Sequence, residues 1–385
     1  MTDLEQKPRL RFKGFTEAWE QRKVKEIAER FDNLRIPVAA SQRESGLIPY
    51  YGANGIQDYV NGFTHNGEFV LVAEDGANDL KNYPVQYVNG KIWVNNHAHV
   101  LQSNKNNNTM FLKYLIGSTD IESLLVGGGR AKLNAEVLMS IDLTLPNKEE
   151  QKHIAIFFDR LDSLITLHQR KYEKLKSMKT ALLEKMFPAG NDTSPKIRFK
   201  GFTEAWEQRK IGSFLKESSI VGHKGSIAKK LTVKLHVGGV QKAVEVQKGS
   251  DNTQYYFRRA GQFIYGKQNF FNGAIGVVPK NLDYYESTKD VPSFDVAPYV
   301  DSEWLLHFVA RPEVYKPQEA LSTGTGSKRF HVNAFYNLEI PLPSLTEQIK
   351  IKTYFDCVDS LITLHQRKCE KLKNLKKSLL ERMFI

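Results

Sequence analysis

Cysteine is nearly absent from this chain. Only Cys357 and Cys369 occur among 385 residues, both on one predicted helix. Twelve positions at about 1.5 Å of rise each put them roughly 18 Å apart, beyond disulfide reach. Free thiols suit a reducing compartment. There is no N-terminal signal pattern, and no apolar run approaches the length of a membrane span, so a cytoplasmic protein without membrane contact is expected. Catalytic signatures are missing too. The chain has no GxxxxGK[ST] phosphate loop, GxGxxG, HExxH, CxxC or Asn-Pro-Pro-Tyr tetrapeptide, which argues against nucleotide hydrolysis, dinucleotide chemistry, zinc proteolysis, thiol redox work and amino-methyl transfer. We expect no catalytic residues, no metal and no cofactor in this chain. Acidic residues are the minority, 43 against 55 basic, for a net charge of +12, and an excess of that sign favours an anionic partner such as nucleic acid.

What is present is a duplication. Residues 8–23, PRLRFKGFTEAWEQRK, return at 195–210 as PKIRFKGFTEAWEQRK, and 151–187 return at 348–384 around an unbroken DSLITLHQRK. Between the copies lie two blocks with almost nothing in common, so a scaffold is repeated while two surfaces are free to differ. The expected layout is a first domain with its lead segment at 1–146, a helix at 147–187, a linker at 188–194, a second domain with its lead segment at 195–344 and a helix at 345–385. The linker PAGNDTS is polar and opens on proline, as a helix stop should. Basic minus acidic residues number 16 minus 17 over 1–146 and 21 minus 15 over 188–344, and 9 minus 6 and 9 minus 5 over the two helices. The first block therefore has no net attraction for phosphate.

Both repeated helices carry apolar residues in alternating steps of three and four, from Ile154 to Met186 and from Ile351 to Met383, a heptad pattern whose narrow stripe needs a partner. The other copy is the obvious one, and related units pair self-complementarily when antiparallel about a pseudo-two-fold axis. The predicted seam is Phe158, Leu161, Ile165, His168, Tyr172, Leu175, Ile362, His365, Cys369 and Leu372. His168 should face His365, with Leu161 near Leu372, Ile165 near Cys369 and Tyr172 near Ile362. Two seam histidines fix register more naturally than they bind metal. Lys171, Lys174 and Lys176 read as a solvated face.

Block one shows alternating segments at 67–73, 91–95, 98–102 and 141–146 with a helix over 110–126; block two shows them at 261–266, 273–278, 293–297 and 338–343 with a helix over 301–315. Both predict an α+β fold with a mixed, largely antiparallel sheet. GGGRAKLN (127–134) aligns with GTGSKRFH (324–331), each placing glycines ahead of basic residues so that backbone N–H groups and cations approach phosphate. Gly127, Gly129, Arg130, Lys132, Gly324, Gly326, Lys328 and Arg329 are the candidate DNA contacts on these loops. The competing reading makes them plain turns. Tyr51, Asn54, Asn95, Asn96, Lys267, Gln268 and Asn269, in amide and aromatic clusters, are candidate base readers or ordinary loop and core residues. His97 and His99 with Glu74 and Asp75 sketch a metal or nuclease site, but a satisfied core or DNA-facing pair fits an alternating strand better. Glu150-Gln151-Lys152 looks like half a nuclease motif placed on a helix start, and is discounted.

The KGFTEAWEQRK leads, the Leu-Pro before each helix and the DSLITLHQRK helices together resemble the specificity subunit of type I restriction-modification systems, over nearly the whole chain. The resemblance implies two target-recognition domains separated by two long antiparallel coiled-coil helices, each domain reading one half of a bipartite double-stranded DNA sequence. It also implies two methyltransferase subunits bound to the scaffold and restriction/translocase subunits added to them. S-adenosylmethionine, ATP and magnesium would belong to those partners. The rivals are a stand-alone nuclease built on Glu74 and Asp75, and a coiled-coil assembly protein without sequence readout.

Overall fold

The structure, a computed structural model, describes residues 7–127, 131–190, 192–244, 252–324 and 327–385. Two helices of 39 residues dominate it, Lys148–Met186 and Leu345–Met383, each about 58 Å long at 1.5 Å per residue. Two compact units divide them: Met1–Arg170 with His365–Ile385, and Lys171–Leu364. Each unit thus owns half of each helix.

In the first unit the halves run antiparallel. Lys376 Nζ meets Asp162 at 2.5 Å, Cys369 Sγ meets Gln169 Oε1 at 3.3 Å and the Ile165 carbonyl at 4.0 Å, and His168 Nδ1 stands 2.8 Å from His365 Nδ1. One imidazole donates and the other accepts. Leu372 packs on the apolar cluster that contains Leu161 and Phe158. In the second unit Lys179 Nζ lies 2.6 Å from Asp359; Tyr172, Leu175 and Ile362 are half-buried, with the Lys176 ammonium 5.3 Å over the Tyr172 ring. Lys171, Lys174 and Lys176 are exposed, as a solvated face requires.

The helix ends are built into the cores. Met383 and Phe384 are buried with Trp19, Phe111 and Phe158 in the first unit, and Met186 and Phe187 with Trp206, Trp304 and Phe355 in the second. The rings match by repeat. Phe384 lies edge-on to Trp19 at 6.3 Å, and Phe187 edge-on to Trp206 at 6.1 Å. Backbone bonds from Leu10 N to Arg382 O and from Ile197 N to Lys185 O, both 2.9 Å, take up carbonyls that a helix end would otherwise orphan.

The helix starts are locked equally twice. Arg11 grips Glu150 through two bonds of 2.6 Å, and Arg198 grips Glu347 at 2.7 and 2.8 Å, with both carboxylates buried. Gln151 Nε2 donates to the Pro146 carbonyl and Gln348 Nε2 to that of Pro343, each at 2.9 Å. Their Oε1 atoms accept from the backbone N–H of Asn108 and Asp301, which themselves cap the helices Thr109–Gly117 and Ser302–Val309. Glu150 and Gln151 are thus structural. The last strand of each block, Asp142–Leu145 and Glu339–Leu342, pairs with its lead segment, Glu20–Lys23 and Glu207–Lys210.

Block one forms a six-stranded sheet in the order Ala28–Arg30, Ala98–Ser103, His65–Ala73, Val85–Val94, Ser45–Gly52, Gly55–Val60, antiparallel except where Ser45–Gly52 runs parallel to Val85–Val94. Block two keeps only part of that plan. It divides into a four-stranded sheet, Leu215–Ser218, Ser293–Val296, Phe263–Tyr265 and Ile275–Val277, a three-stranded one, Val221–Lys224, Gln254–Arg258 and Tyr285–Ser287, and the hairpin Leu231–Val233/Val240–Lys242. Both expected block helices are shorter than the sequence pattern suggests. The first ends at Gly117, where the Ser118 N–H and the Thr119 hydroxyl take the last carbonyls, and only a 3-10 turn follows at Glu122–Leu124. The second breaks after Val309, because Pro312 holds the preceding Arg311 extended.

His307, on that second helix, packs 5.2 Å from the Phe355 ring, and its Nε2 has no hydrogen-bond partner among the described residues. Burial, aided by the Lys179 ammonium and opposed by Asp359 and Asp356, pushes the imidazole down to about 4. The unfolded chain binds this proton near pH 6.5 and the folded chain does not, so stability falls as pH drops from 6.5 toward 4, by up to about 3 kcal/mol. Urea titrations at pH 7 and 4.5 check this. His307→Leu should shrink the difference between the two by about 2 kcal/mol, and an unchanged difference would assign the acid sensitivity elsewhere.

Candidate nucleic-acid interface

The glycine turns are each flanked by an isolated antiparallel bridge. In the first, Val126 and Lys132 exchange backbone bonds of 3.0 and 2.9 Å, with Gly127 at φ +90°. In the second, Thr323 and Arg329 do the same at 3.1 and 2.8 Å. Gly324 has φ +125°, and a Cβ there would come within 2.5 Å of the Ser327 carbonyl. Glycine is therefore required by the backbone itself. Gly129, Arg130 and Gly326 lie outside the described residues.

The remaining cations of these turns are held by acids. Lys132 reaches Glu74 at 2.9 Å, Lys328 reaches Glu319 at 2.8 Å, and Arg329 reaches Asp290 at 3.4 Å. Under the first turn lies a half-buried network around the buried His99. Leu133 N donates to Glu74 O, Arg35 bridges Glu74 at 2.7 Å and Asp32 at 3.6 Å, and His99 joins Asp32 at 2.7 Å to the Leu133 carbonyl at 2.9 Å. Burial raises Asp32, but the bonds from His99 and the Val100 N–H outweigh it and hold the carboxyl below its usual range. Glu74 is raised by burial and brought lower by Arg35 and Lys132.

Asp32, Glu74 and His99 come within 4.8 Å of one another, close enough to hold a metal ion. The charges of Arg35 and Lys132 already neutralise these acids, so the donor set does not fit a cation. His97 does not share the strand face of His99. It precedes the strand Ala98–Ser103 and bonds Asp75 at 2.5 Å. Glu74 and Asp75 are each committed to a basic partner, which disfavours a nuclease built on them.

The amide clusters separate into committed and exposed groups. Asn95 is buried, its carbonyl accepting from His97 N at 2.8 Å and its amide facing Gln57. Asn54, at the hairpin tip between Ser45–Gly52 and Gly55–Val60, ties Gly76 O and Asn78 N. Tyr51 is half-buried on the strand, and Asn96 and Gln268 are exposed. Asn269 accepts from Asn272 Nδ2. Lys267 joins its neighbours by backbone, donating to Asp290 O and accepting from Phe330 N, which brings 266–273 against the glycine turn of the second unit. Sequence reading missed the Asp32–Glu74–His99–Arg35 network, whose members lie far apart in the chain. It also missed the Arg11/Glu150 and Arg198/Glu347 locks, which comparing charged positions between the repeats would have found.

Each unit carries one copy of the repeated lead segment on antiparallel halves of the two long helices, with an α+β block unlike that of the other unit. The fold is shared with a solved type I restriction-modification S subunit from M. genitalium, at a TM-score of 0.70 with 11% identity, over 98% of this chain and 99% of that one. The chain belongs to the family of the type I restriction modification DNA specificity domain, which it matches at residues 16–177 and 300–374. Among relatives, it is 44% identical over 145 residues, 38% of each chain, to a protein of Haemophilus influenzae named a putative type I restriction enzyme specificity subunit. It is 27% identical over 123 residues to the EcoprrI specificity subunit of Escherichia coli, 32% of this chain and 30% of that one. The chain thus spans about a third of the length of these two. With the MjaVIII specificity subunit of Methanocaldococcus jannaschii it shares 20% over 425 residues, 94% of this chain and 91% of that one. Among the described residues no helix is long and apolar enough to cross a membrane.

Proposed function

We propose that this chain is the DNA sequence-specificity subunit of a type I restriction-modification complex. Each unit reads one half of a bipartite duplex target, and the paired helices set the interval between the halves and dock two methyltransferase subunits. The chain is non-catalytic: adenine-N6 methylation with S-adenosylmethionine, and ATP- and magnesium-dependent cleavage, belong to the methyltransferase and restriction/translocase partners. The observation that carries this reading is the duplicated frame with unlike inserts, in a chain that belongs to the DNA specificity family.

Charge bears on how such a chain holds DNA. With 16 basic against 17 acidic residues over 1–146, and with Lys132 engaged by Glu74, the first block offers no net attraction to phosphate, whose neutralisation supplies most duplex affinity. The second block, 21 basic against 15 acidic over 188–344, has its turn cations Lys328 and Arg329 paired with acids. The chain alone is expected to bind duplex DNA weakly and the methyltransferase complex at least about tenfold more tightly, with a steeper salt dependence. Titrations of both from 50 to 200 mM salt measure it. Equal affinity and slope would contradict the shared-binding reading.

A further inference from the structure

A strained finger stands on the second unit. The hairpin Leu231–Val233/Val240–Lys242 is joined by residues 234–239, Lys-Leu-His-Val-Gly-Gly. Its two left-handed non-glycine residues are His236 at φ +56° and Val237 at φ +55°. Such backbone is normally left to glycine, asparagine, aspartate or histidine, so His236 is tolerated there while the β-branched Val237 is an outlier. Glycines are present, but one and two places later. A hairpin that needed only to turn would put glycine at the left-handed positions.

The surroundings hold this geometry in place. His236 N donates to Asn272 O at 2.9 Å and Val237 N to Gly273 O at 2.8 Å, while Lys234 N and Gly238 N close the loop on Gly239 O and Leu235 O. The seat is shaped for close approach. A Cβ on Gly273 would lie 3.2 Å from Val237 N and 3.3 Å from His236 Cα, and one on Gly276 would lie 2.7 Å from a Val240 methyl. Val237 packs on the core of the unit, whereas Lys234 and His236 are exposed, with no ion pair for either among the described residues. The seat is the 266–273 segment, tied through Lys267 to the turn that bears Lys328 and Arg329. Anchoring the valine inward therefore drives the neighbouring imidazole outward at the tip of a surface that already holds exposed amide and basic groups. An imidazole offers both donor and acceptor to a base edge, and an adjacent lysine suits phosphate.

We propose that the 234–239 finger enters a DNA groove and that His236 reads a base edge within the half-site of the second unit, with Val237 as its positioning residue. The proposal rests on the DNA-specificity reading above. Backbone strain persists at functional sites when the surroundings over-determine it, as they do here.

The test uses the full chain with its methyltransferase subunits and a randomised duplex pool, sequencing the DNA retained by wild type, His236→Ala and His236→Asn. Asparagine tolerates left-handed backbone and keeps a donor and an acceptor. His236→Ala should lose preference at one base pair of one half-site, at roughly 5- to 100-fold in discrimination. The other half-site should be unchanged, and His236→Asn should keep a preference at that same pair. Alanine at this left-handed position is expected to lower the unfolding temperature slightly and asparagine not to. Selection is therefore run well below the unfolding of all three, and the loss of preference is read as the difference between one base pair and the rest of the site. Unchanged preference in the alanine variant, or an equal loss of affinity on every sequence, overturns the proposal. A wild-type complex that selects no sequence would instead overturn the specificity reading itself.

Discussion

Replacing Phe384 by alanine should melt the first unit while sparing the second, and Phe187→Ala should do the reverse. Each phenylalanine comes from the end of a long helix and is buried among rings of the unit it closes: Phe384 against Trp19, Phe111 and Phe158, and Phe187 against Trp206, Trp304 and Phe355. Truncating a buried phenylalanine costs about 3 to 5 kcal/mol, from lost burial plus the cavity left behind. For a unit of this size that lowers its transition by roughly 10 °C. Deleting Ile385, which is 55% exposed, should do little. Calorimetry with limited proteolysis of the heated chain would show which unit opens first. Equal destabilisation of both units, or none, would contradict the assignment of each helix end to one core.

The frame was legible because it is repeated and periodic. Heptad steps located both helices, and placing the pseudo-two-fold axis near His168 accounts for its contact with His365. Strands long enough to alternate, such as His65–Ala73, showed themselves. Ser45–Gly52 and Gly55–Val60 did not, since Pro49, Gly52 and Asn54 read as loop signals although they form a tight hairpin. Block two was only partly legible: Phe263–Tyr265, Ile275–Val277 and Ser293–Val296 fall inside the expected segments, whereas Leu231–Val233, Val240–Lys242 and Tyr285–Ser287, three residues each, are too short for any period to register. At the candidate interface the glycine turns were visible, but the acids opposing them were not: Glu74 lies 58 positions before Lys132, and that proximity is a product of sheet topology. The finger at His236 and Val237 was hidden for the opposite reason, because its backbone contradicts the local preferences of its residues.

Exchanging residues 212–340 for the corresponding block of a relative should rewrite one half of the selected DNA sequence and leave the other half and the interval untouched. The block lies within the second unit, whereas 1–170 and 365–385 make the first. Base readout depends on the side chains and loops that face the grooves, and those differ between the blocks. On the proposed reading the interval is set by the paired helices, Lys148–Met186 and Leu345–Met383, which the exchange leaves intact. The Arg198–Glu347 lock and the Phe187–Trp206 and Phe187–Phe355 contacts lie outside the exchanged residues, so the foreign block keeps these anchors and must itself supply the ring that Trp304 sets against Phe187. The effect is large, since each mismatched base pair typically costs about 1 to 3 kcal/mol and a rewritten half-site contains several. The direct measurement is the DNA retained from a randomised duplex pool by the parent and exchanged chains, each with its methyltransferase subunits. The account predicts two bipartite sequences that share one half and one interval; two sequences differing in both halves, or a changed interval with both halves intact, would contradict it.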